Sequence, residues 1–99
     1  MSFDNLNPLL HSQLRLAIMS LLISVEKADY SFIKEKTEAT SGNISVQIGK
    51  LEKAGYLEVT KTFKNKRPNT SYNITPKGVE AFEKYVNNIQ QYLNTSQKK

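Results

Sequence analysis

The sequence predicts a mainly α-helical fold with one small β-hairpin, in the order α-α-α-β-β-α and with a long C-terminal helix. Three observations predict it. Apolar residues recur every three to four positions through the first half of the chain, the spacing of helices that bury one face. The spacing changes to two after Gly55, as in a half-buried strand, and returns to three and four after Pro76.

Length and composition fit one domain, expected over residues 1–99. A chain of 99 residues can bury enough apolar surface to fold without disulfides or bound metals. It contains no cysteine, which excludes disulfides and thiolate metal sites and favours a reducing cytoplasm as its compartment. The longest apolar stretch, residues 14–25, is interrupted by polar residues and is too short to span a bilayer, so we expect neither a signal peptide nor a membrane anchor.

The formal charge of +5 favours a polyanionic partner, although many basic domains bind nothing acidic. The position of the charge is more informative than its size. Residues 50–67 hold only Glu52 and Glu58 against a run of basic residues: Lys50, Lys53, Lys61, Lys64, Lys66 and Arg67. The excess is therefore local, at the end of a helix and on a hairpin.

The first two helices are predicted from apolar spacing and capping residues. The first spans about residues 12–25, and its broad apolar stripe should form the centre of the core. Residues 26–29 are interpreted as a polar link. A short second helix follows, capped by Ser31 and ending near Ala39.

The third helix is predicted over about residues 41–54. Thr40 or Ser41 caps its start, and Gly55 supplies the left-handed residue that ends it. Its buried stripe consists of Ile44, Ile48 and Leu51. Helices two and three are therefore joined by a tight turn.

A β-hairpin and a final helix complete the chain. The alternation that begins at Leu57 and continues to Phe63 predicts a strand with one half-buried face. Residues 65–69 form the predicted turn, and residues 70–74 the second strand. Thr75 then caps a helix of residues 76–94, with proline in its first position.

Two helices joined by a short turn and followed by a basic hairpin form a winged helix-turn-helix, in which one helix enters the major groove of DNA. We expect the third helix to be that recognition helix. Its candidate DNA-binding residues are Ser41, Gly42, Asn43, Ser45, Val46, Gln47 and Lys50. The candidate wing residues are Lys64, Lys66, Arg67 and Asn69.

The alternative interpretation is structural. The outward residues of the third helix would then be ordinary solvent-facing positions, and the basic turn would only aid solubility. Gly49 favours the DNA interpretation, because a glycine inside a helix costs about 1 kcal/mol relative to alanine. Close approach to another surface would explain that cost.

The final helix has an apolar heptad stripe, which predicts a dimer. The candidate interface residues are Phe82, Val86, Ile89 and Leu93, and the apolar N-terminal residues could join them: Phe3, Leu6, Leu9 and Leu10. The stripe could also pack on its own domain. A symmetric homodimer would place two recognition helices on a palindromic site.

No pattern in the sequence indicates catalysis, a cofactor or a metal. His11 is the single histidine, and no carboxylate lies at a suggestive spacing from it. The four glycines sit in separate predicted elements and form no phosphate-binding loop. We therefore expect a protein that is not an enzyme and that needs no cofactor.

Several short segments resemble the compact winged-helix transcriptional regulators related to the MarR family. The matching positions are residues 11–18, 40–45, 51–56, 66–70, Tyr72 and 75–78, and the resemblance covers nearly all of such a domain. It implies a homodimeric DNA-binding regulator with recognition residues around 41–50 and a wing at 64–69. The N-terminal segment is shorter than in full-length MarR proteins, and only one terminal helix follows the wing, so the resemblance implies no particular effector pocket.

The function predicted from the sequence is a sequence-specific transcriptional regulator, with repression as the expected mode, that binds double-stranded DNA at a palindromic operator as a homodimer. The alternative is a winged helix that binds another protein and does not read DNA. The sequence does not identify an effector ligand.

Overall fold

The computed structural model describes residues 3–25 and 27–95, which form four helices and one three-stranded sheet. In chain order the elements are α1 (Gln13–Val25), β1 (Lys27–Asp29), α2 (Tyr30–Thr37), α3 (Ser41–Lys53), β2 (Leu57–Lys64), β3 (Arg67–Ile74) and α4 (Pro76–Thr95). The predicted fold class, mainly helical with a β-hairpin and a long terminal helix, is confirmed. Within the described residues, no helix has both the length and the apolar character needed to cross a membrane.

Strand β1 replaces most of the polar link predicted at residues 26–29, of which Glu26 lies outside the described residues. It pairs antiparallel with the central strand β3, and Ala28 lies opposite Tyr72. The prediction was wrong because three residues are too few to show an alternating pattern. The strand forms because β3 offers it an open edge.

Helix α2 begins and ends earlier than predicted. Its cap is Asp29, whose carboxylate accepts a hydrogen bond from the Phe32 backbone N–H at 2.9 Å, so the assignment of Ser31 as the cap was wrong. Aspartate caps as well as serine does, and Asp29 stands two residues earlier. Glu38, in the left-handed region at φ 57°, closes the helix before it reaches Ala39.

The hairpin between β2 and β3 has a two-residue turn, shorter than the predicted turn at residues 65–69. Asn65 and Lys66 have φ of 53° and 64°, as a type I′ turn requires. Pro68 lies within β3, opposite Phe63. Proline is tolerated there because β1 pairs only with Ser71–Asn73, so β3 has an open edge beside Pro68 that needs no N–H donor.

The core lies where α1, α2 and α3 meet the sheet. The predicted stripe of α3 is buried as expected, and so are Ile18 and Leu22 of α1. The side chains with no more than 2 % exposure are Leu10, Ile18, Met19, Leu22, Ile33, Ile44, Leu51 and Leu57. Burial of the inner face of β2 stops at half-buried Val59, and Phe63 is 78 % exposed. The outer half of the hairpin therefore projects beyond the core.

Thr75 joins three elements at one point. Its hydroxyl donates to the Gly55 carbonyl at 2.6 Å and accepts from the Gly78 N–H at 3.0 Å, while its backbone N–H donates to the Tyr56 carbonyl at 3.0 Å. Gly55, at φ 82°, ends the turn after α3 in the conformation predicted. A Cβ at Gly78 would lie 2.1 Å from the Tyr56 oxygen, so only glycine fits there. The beginning of α4 is thus fixed against the end of α3.

The N-terminal segment packs on the far half of α4 within the same chain. Phe3 stacks on Tyr92 with ring centroids 4.6 Å apart, and the Asp4 carboxylate accepts from the Gln91 amide at 3.1 Å. Leu10 is fully buried in the domain's own core, so its suggested place in a dimer interface was wrong. Leu6 and Leu9 also pack against this core.

Candidate nucleic-acid interface

The outward face of α3 is polar, small and open, as the sequence predicts. Thr40 caps the helix by accepting from the Asn43 N–H at 3.2 Å, and the buried stripe holds the opposite face against the core. Six of the seven predicted recognition residues are exposed: Ser41, Gly42, Asn43, Ser45, Val46 and Lys50. Val46 is 53 % exposed, so its methyl groups are accessible to an external surface.

Gly42 and Gly49 lie on this face with open space around them. A Cβ built at either position would meet no atom within 4 Å. Packing within the chain therefore does not explain why glycine occupies the interior position 49, where it weakens the helix by about 1 kcal/mol relative to alanine. Close approach of an external surface would account for a glycine at this position.

The first turn of α3 has donors suited to a phosphate. The Tyr30 hydroxyl donates to Ser41 Oγ at 2.6 Å, which leaves the Ser41 hydroxyl hydrogen available to a further acceptor. The backbone N–H groups of Ser41 and Gly42 have no partner inside the helix, as at every helix start. Tyr30 was not among the predicted residues, because its position beside Ser41 depends on the packing of α2 against α3.

Gln47 differs from the other predicted recognition residues because its side chain is held by the protein. It is half-buried, and its Oε1 accepts a hydrogen bond from Arg15 Nη1 on α1. Its Nε2 donates to Asn43 Oδ1 at 2.9 Å. Arg15 also donates through Nε to the Leu9 carbonyl. No pattern in the sequence indicates that Arg15 contacts Gln47, because these residues are 32 positions apart.

The wing is cationic and exposed. Lys66 lies in the two-residue turn, Lys64 and Arg67 flank it, and all three are exposed, whereas Asn69 is half-buried inside β3. No acidic residue occurs in the sequence between Glu58 and Glu80. Among the residues that the structure describes, none of the three wing cations contacts a carboxylate. Their charge is therefore available to an external anion.

An apolar patch accompanies the wing charge. Phe63 and Pro68 lie opposite each other on adjacent strands next to the turn, and both are exposed. The sequence predicted Phe63 on a half-buried face, and the structure places it beyond the core. Minor-groove binding proteins present apolar side chains among cations in this way.

The apolar stripe of α4 is only partly covered. Phe82, Val86 and Ile89 are half-buried, and Leu93 is 62 % exposed. The side chains that α4 buries most deeply lie beside the heptad stripe: Tyr85 at 4 % exposure and Asn88 at 7 %. The helix therefore packs on its own domain through one face and leaves part of the adjacent apolar stripe open.

The chain shares its family and its fold with known proteins. The sequence model of a protein family described as "Winged helix DNA-binding domain" matches residues 14–93. An uncharacterized protein of Methanocaldococcus jannaschii is 36 % identical over 81 residues, which is 82 % of this chain and 88 % of the relative.

Solved structures show the same fold. The transcriptional regulator homologue from Pyrococcus horikoshii OT3 is 28 % identical, with a TM-score of 0.84 over 91 % of this chain and 89 % of that one. A PadR-like transcription factor from Bacteroides fragilis is 21 % identical, with a TM-score of 0.77 over 86 % and 87 % of the two chains, and it shows the fold alone. The winged-helix resemblance seen in the sequence is confirmed.

Proposed function

Because the chain belongs to the family of winged helix DNA-binding domains, we propose that it is a transcriptional regulator that binds duplex DNA through α3 and the β2–β3 wing. The major groove, about 12 Å wide, admits a helix with a small outer face. The wing then lies along the neighbouring backbone. The absence of cysteine is consistent with the cytoplasm as the compartment in which the regulator acts.

Two observations support this most strongly: the open surface around Gly49 and the unpaired basic wing. Nothing in the described chain occupies the space above the glycine, and the hairpin offers cations without internal partners among the described residues. A polyanion with a groove that accommodates a helix satisfies both features. Lys50 and Ser45, exposed on the same helix, supply donors for base edges or phosphates.

The proposed assembly is a homodimer formed through α4. The stripe of Phe82, Val86, Ile89 and Leu93 would be covered by the same stripe of a second copy, which would hide the exposed Leu93 side chain. Two recognition helices would then face a palindromic operator. Repression, which requires only occupancy of that operator, is the proposed mode.

Selection of bound duplexes from a random pool tests the proposal. We expect enrichment of one motif with two-fold symmetry. Its affinity should fall steeply between about 50 and 200 mM salt, because each neutralised phosphate releases counterions. Absence of an enriched motif, together with affinity that does not respond to salt, would contradict DNA recognition. It would favour a protein partner for the outer face of α3.

A further inference from the structure

Arg15, Gln47 and Asn43 form a chain of hydrogen bonds whose direction is set by chemistry. A guanidinium group has donors and no acceptor, so the Gln47 atom that faces Arg15 must be the carbonyl oxygen Oε1. The amide nitrogen Nε2 at the other side of Gln47 is then a donor, and the Asn43 atom that faces it must be the acceptor Oδ1. Neither amide can be reversed without placing two donors or two acceptors together.

The inner end of this chain is well anchored. Arg15 is half-buried on α1, and its Nε donates to the Leu9 carbonyl. The guanidinium has N–H donors and no acceptor, so this end of the hydrogen-bond chain can only donate. The direction of these hydrogen bonds, from Arg15 through Gln47 to Asn43, is therefore fixed in the folded domain.

The outer end of the chain faces solvent on the proposed recognition surface. Asn43 is exposed in the first turn of α3. In the described part of the chain, its Nδ2 has no acceptor, while its Oδ1 is turned toward Gln47. The amide thus presents two N–H donors outward and turns its oxygen inward.

We propose that Arg15, acting through Gln47, fixes the polarity of Asn43 and so determines which bases α3 selects. The inference rests on the proposed function. In the major groove, guanine offers the adjacent acceptors N7 and O6, thymine offers O4, and cytosine offers only a donor. The usual paired contact of asparagine with adenine needs the side-chain oxygen, which Gln47 engages. Asn43 therefore selects guanine, the base that offers two adjacent acceptors. Gln47 and Arg15 are positioning residues and make no base contact in this role.

Replacement of one amide by a carboxylate tests this direction. In Gln47→Glu, the side chain can still accept from Arg15 but can no longer donate, so it must accept from Asn43 Nδ2. Asn43 would then turn Oδ1 outward. In duplex selection, the wild-type protein should favour guanine at one position of each half-site by roughly tenfold. Gln47→Glu should move that preference to adenine or cytosine, whose exocyclic amines are donors.

Two control variants separate polarity from charge. Asn43→Ala combined with Gln47→Glu has the same added charge but no amide to turn, so it should show no preference at that position. Arg15→Met keeps an apolar stem of similar length and removes the anchor, so both amides can rotate. It should broaden the preference without reversing it.

A measurement on the free protein provides a readout that does not need DNA. By NMR, the Gln47 side-chain amide hydrogens should exchange with water more slowly than those of Asn43. In Gln47→Glu, the Asn43 hydrogens should become the protected ones. Equal exchange at both amides in the wild-type protein would overturn the hydrogen-bond chain.

The outcomes distinguish this inference from the function on which it rests. If the wild-type protein enriches a motif and Gln47→Glu enriches the same bases, the polarity inference is overturned and the DNA-binding proposal stands. If the wild-type protein enriches no motif, both are overturned. A reversed base preference at one position, lost in the double variant, supports both.

Discussion

Gly49 lies in the interior of α3, where a helix would gain stability from almost any other residue. Gly49→Ala should raise the free energy of unfolding by about 1 kcal/mol, because alanine is the better helix former and the added Cβ meets no atom within 4 Å. The same Cβ should weaken duplex binding, because it enlarges the surface that approaches the groove. Urea denaturation and titration with a labelled duplex measure the two effects.

The opposite signs of these effects make the test specific. Gly42→Ala, in the first turn, is the matched control, because it also adds a Cβ in open space but gains less helix stability. If Gly49→Ala stabilises the protein and leaves the affinity for DNA unchanged, position 49 does not lie in the interface.

Single residues were predictable where their role is local. Thr75 was identified as a cap, Thr40 as one of two alternatives with Ser41, and Gly55 as the left-handed residue, because each acts on atoms a few positions away. No role in packing was predicted for Gly78. Its close approach to the Tyr56 carbonyl exists only once α4 packs against the end of α3. The interaction of Arg15 with Gln47 was missed for the same reason.

The wing and α3 should contribute to DNA binding in different ways. Lys66→Ala with Arg67→Ala should weaken binding to a selected duplex and to a random duplex about equally, because phosphate contacts do not depend on sequence. The slope of log affinity against log salt should become shallower by about one for each phosphate that is no longer neutralised. Lys50→Ala should weaken the selected duplex more than the random one. Fluorescence anisotropy at several salt concentrations measures both.

Lys84→Ala is the control for charge alone, because Lys84 is an exposed cation on α4 and lies outside the proposed DNA interface of α3 and the wing. It should change both affinities little. Weaker binding confined to the selected duplex in the wing variant, or an equal effect on both duplexes in Lys50→Ala, would reverse the roles assigned to the two elements.

Elements were predictable in proportion to their length and to the clarity of their ends. Helices α1, α3 and α4 have long apolar stripes, and their bounds agree with the prediction to within one or two residues. Strand β1 has three residues and depends on the open edge of β3, which no local pattern shows. The hairpin turn was overestimated because Pro68 was taken as a turn residue, although an open strand edge tolerates proline equally well.

The proposed homodimer gives a prediction for the whole molecule. Leu93→Asp should produce monomers in light scattering, because a charge buried in an apolar interface is strongly unfavourable. Leu93 is 62 % exposed in the single chain, so the substitution should leave the fold intact. Phe82→Asp would be a poorer choice, because Phe82 also packs against the domain's own core.

Asn94→Asp is the matched control for this experiment. It adds the same charge at the neighbouring exposed position, outside the apolar stripe, and should leave the mass of the assembly unchanged. A wild-type mass equal to one chain, or a dimeric Leu93→Asp, would show that α4 does not form the proposed interface.

The overall architecture followed from the order of periodicities, because three helices, a hairpin and a helix have few compact arrangements. The course of the N-terminal segment could not be predicted from that order. In the structure, Phe3 contacts Tyr92 and Asp4 contacts Gln91, nearly the full length of the sequence away. The sequence alone is equally compatible with packing of this short apolar segment on a second subunit. The outward face of α3 was predictable because it is what remains after the buried stripe is assigned.

The hydrogen bonds of Thr75 join the beginning of α4 to the end of α3, the proposed recognition helix. Twenty residues of α-helix extend for about 30 Å. A tilt of about 10° at this joint therefore displaces the far end by roughly 5 Å, more than the rise of one base-pair step, about 3.4 Å. In a dimer joined through α4, the angle held by Thr75 sets the distance between the two recognition helices. In such a dimer, the number of base pairs between the two half-sites of the operator would depend on the angle between α3 and α4.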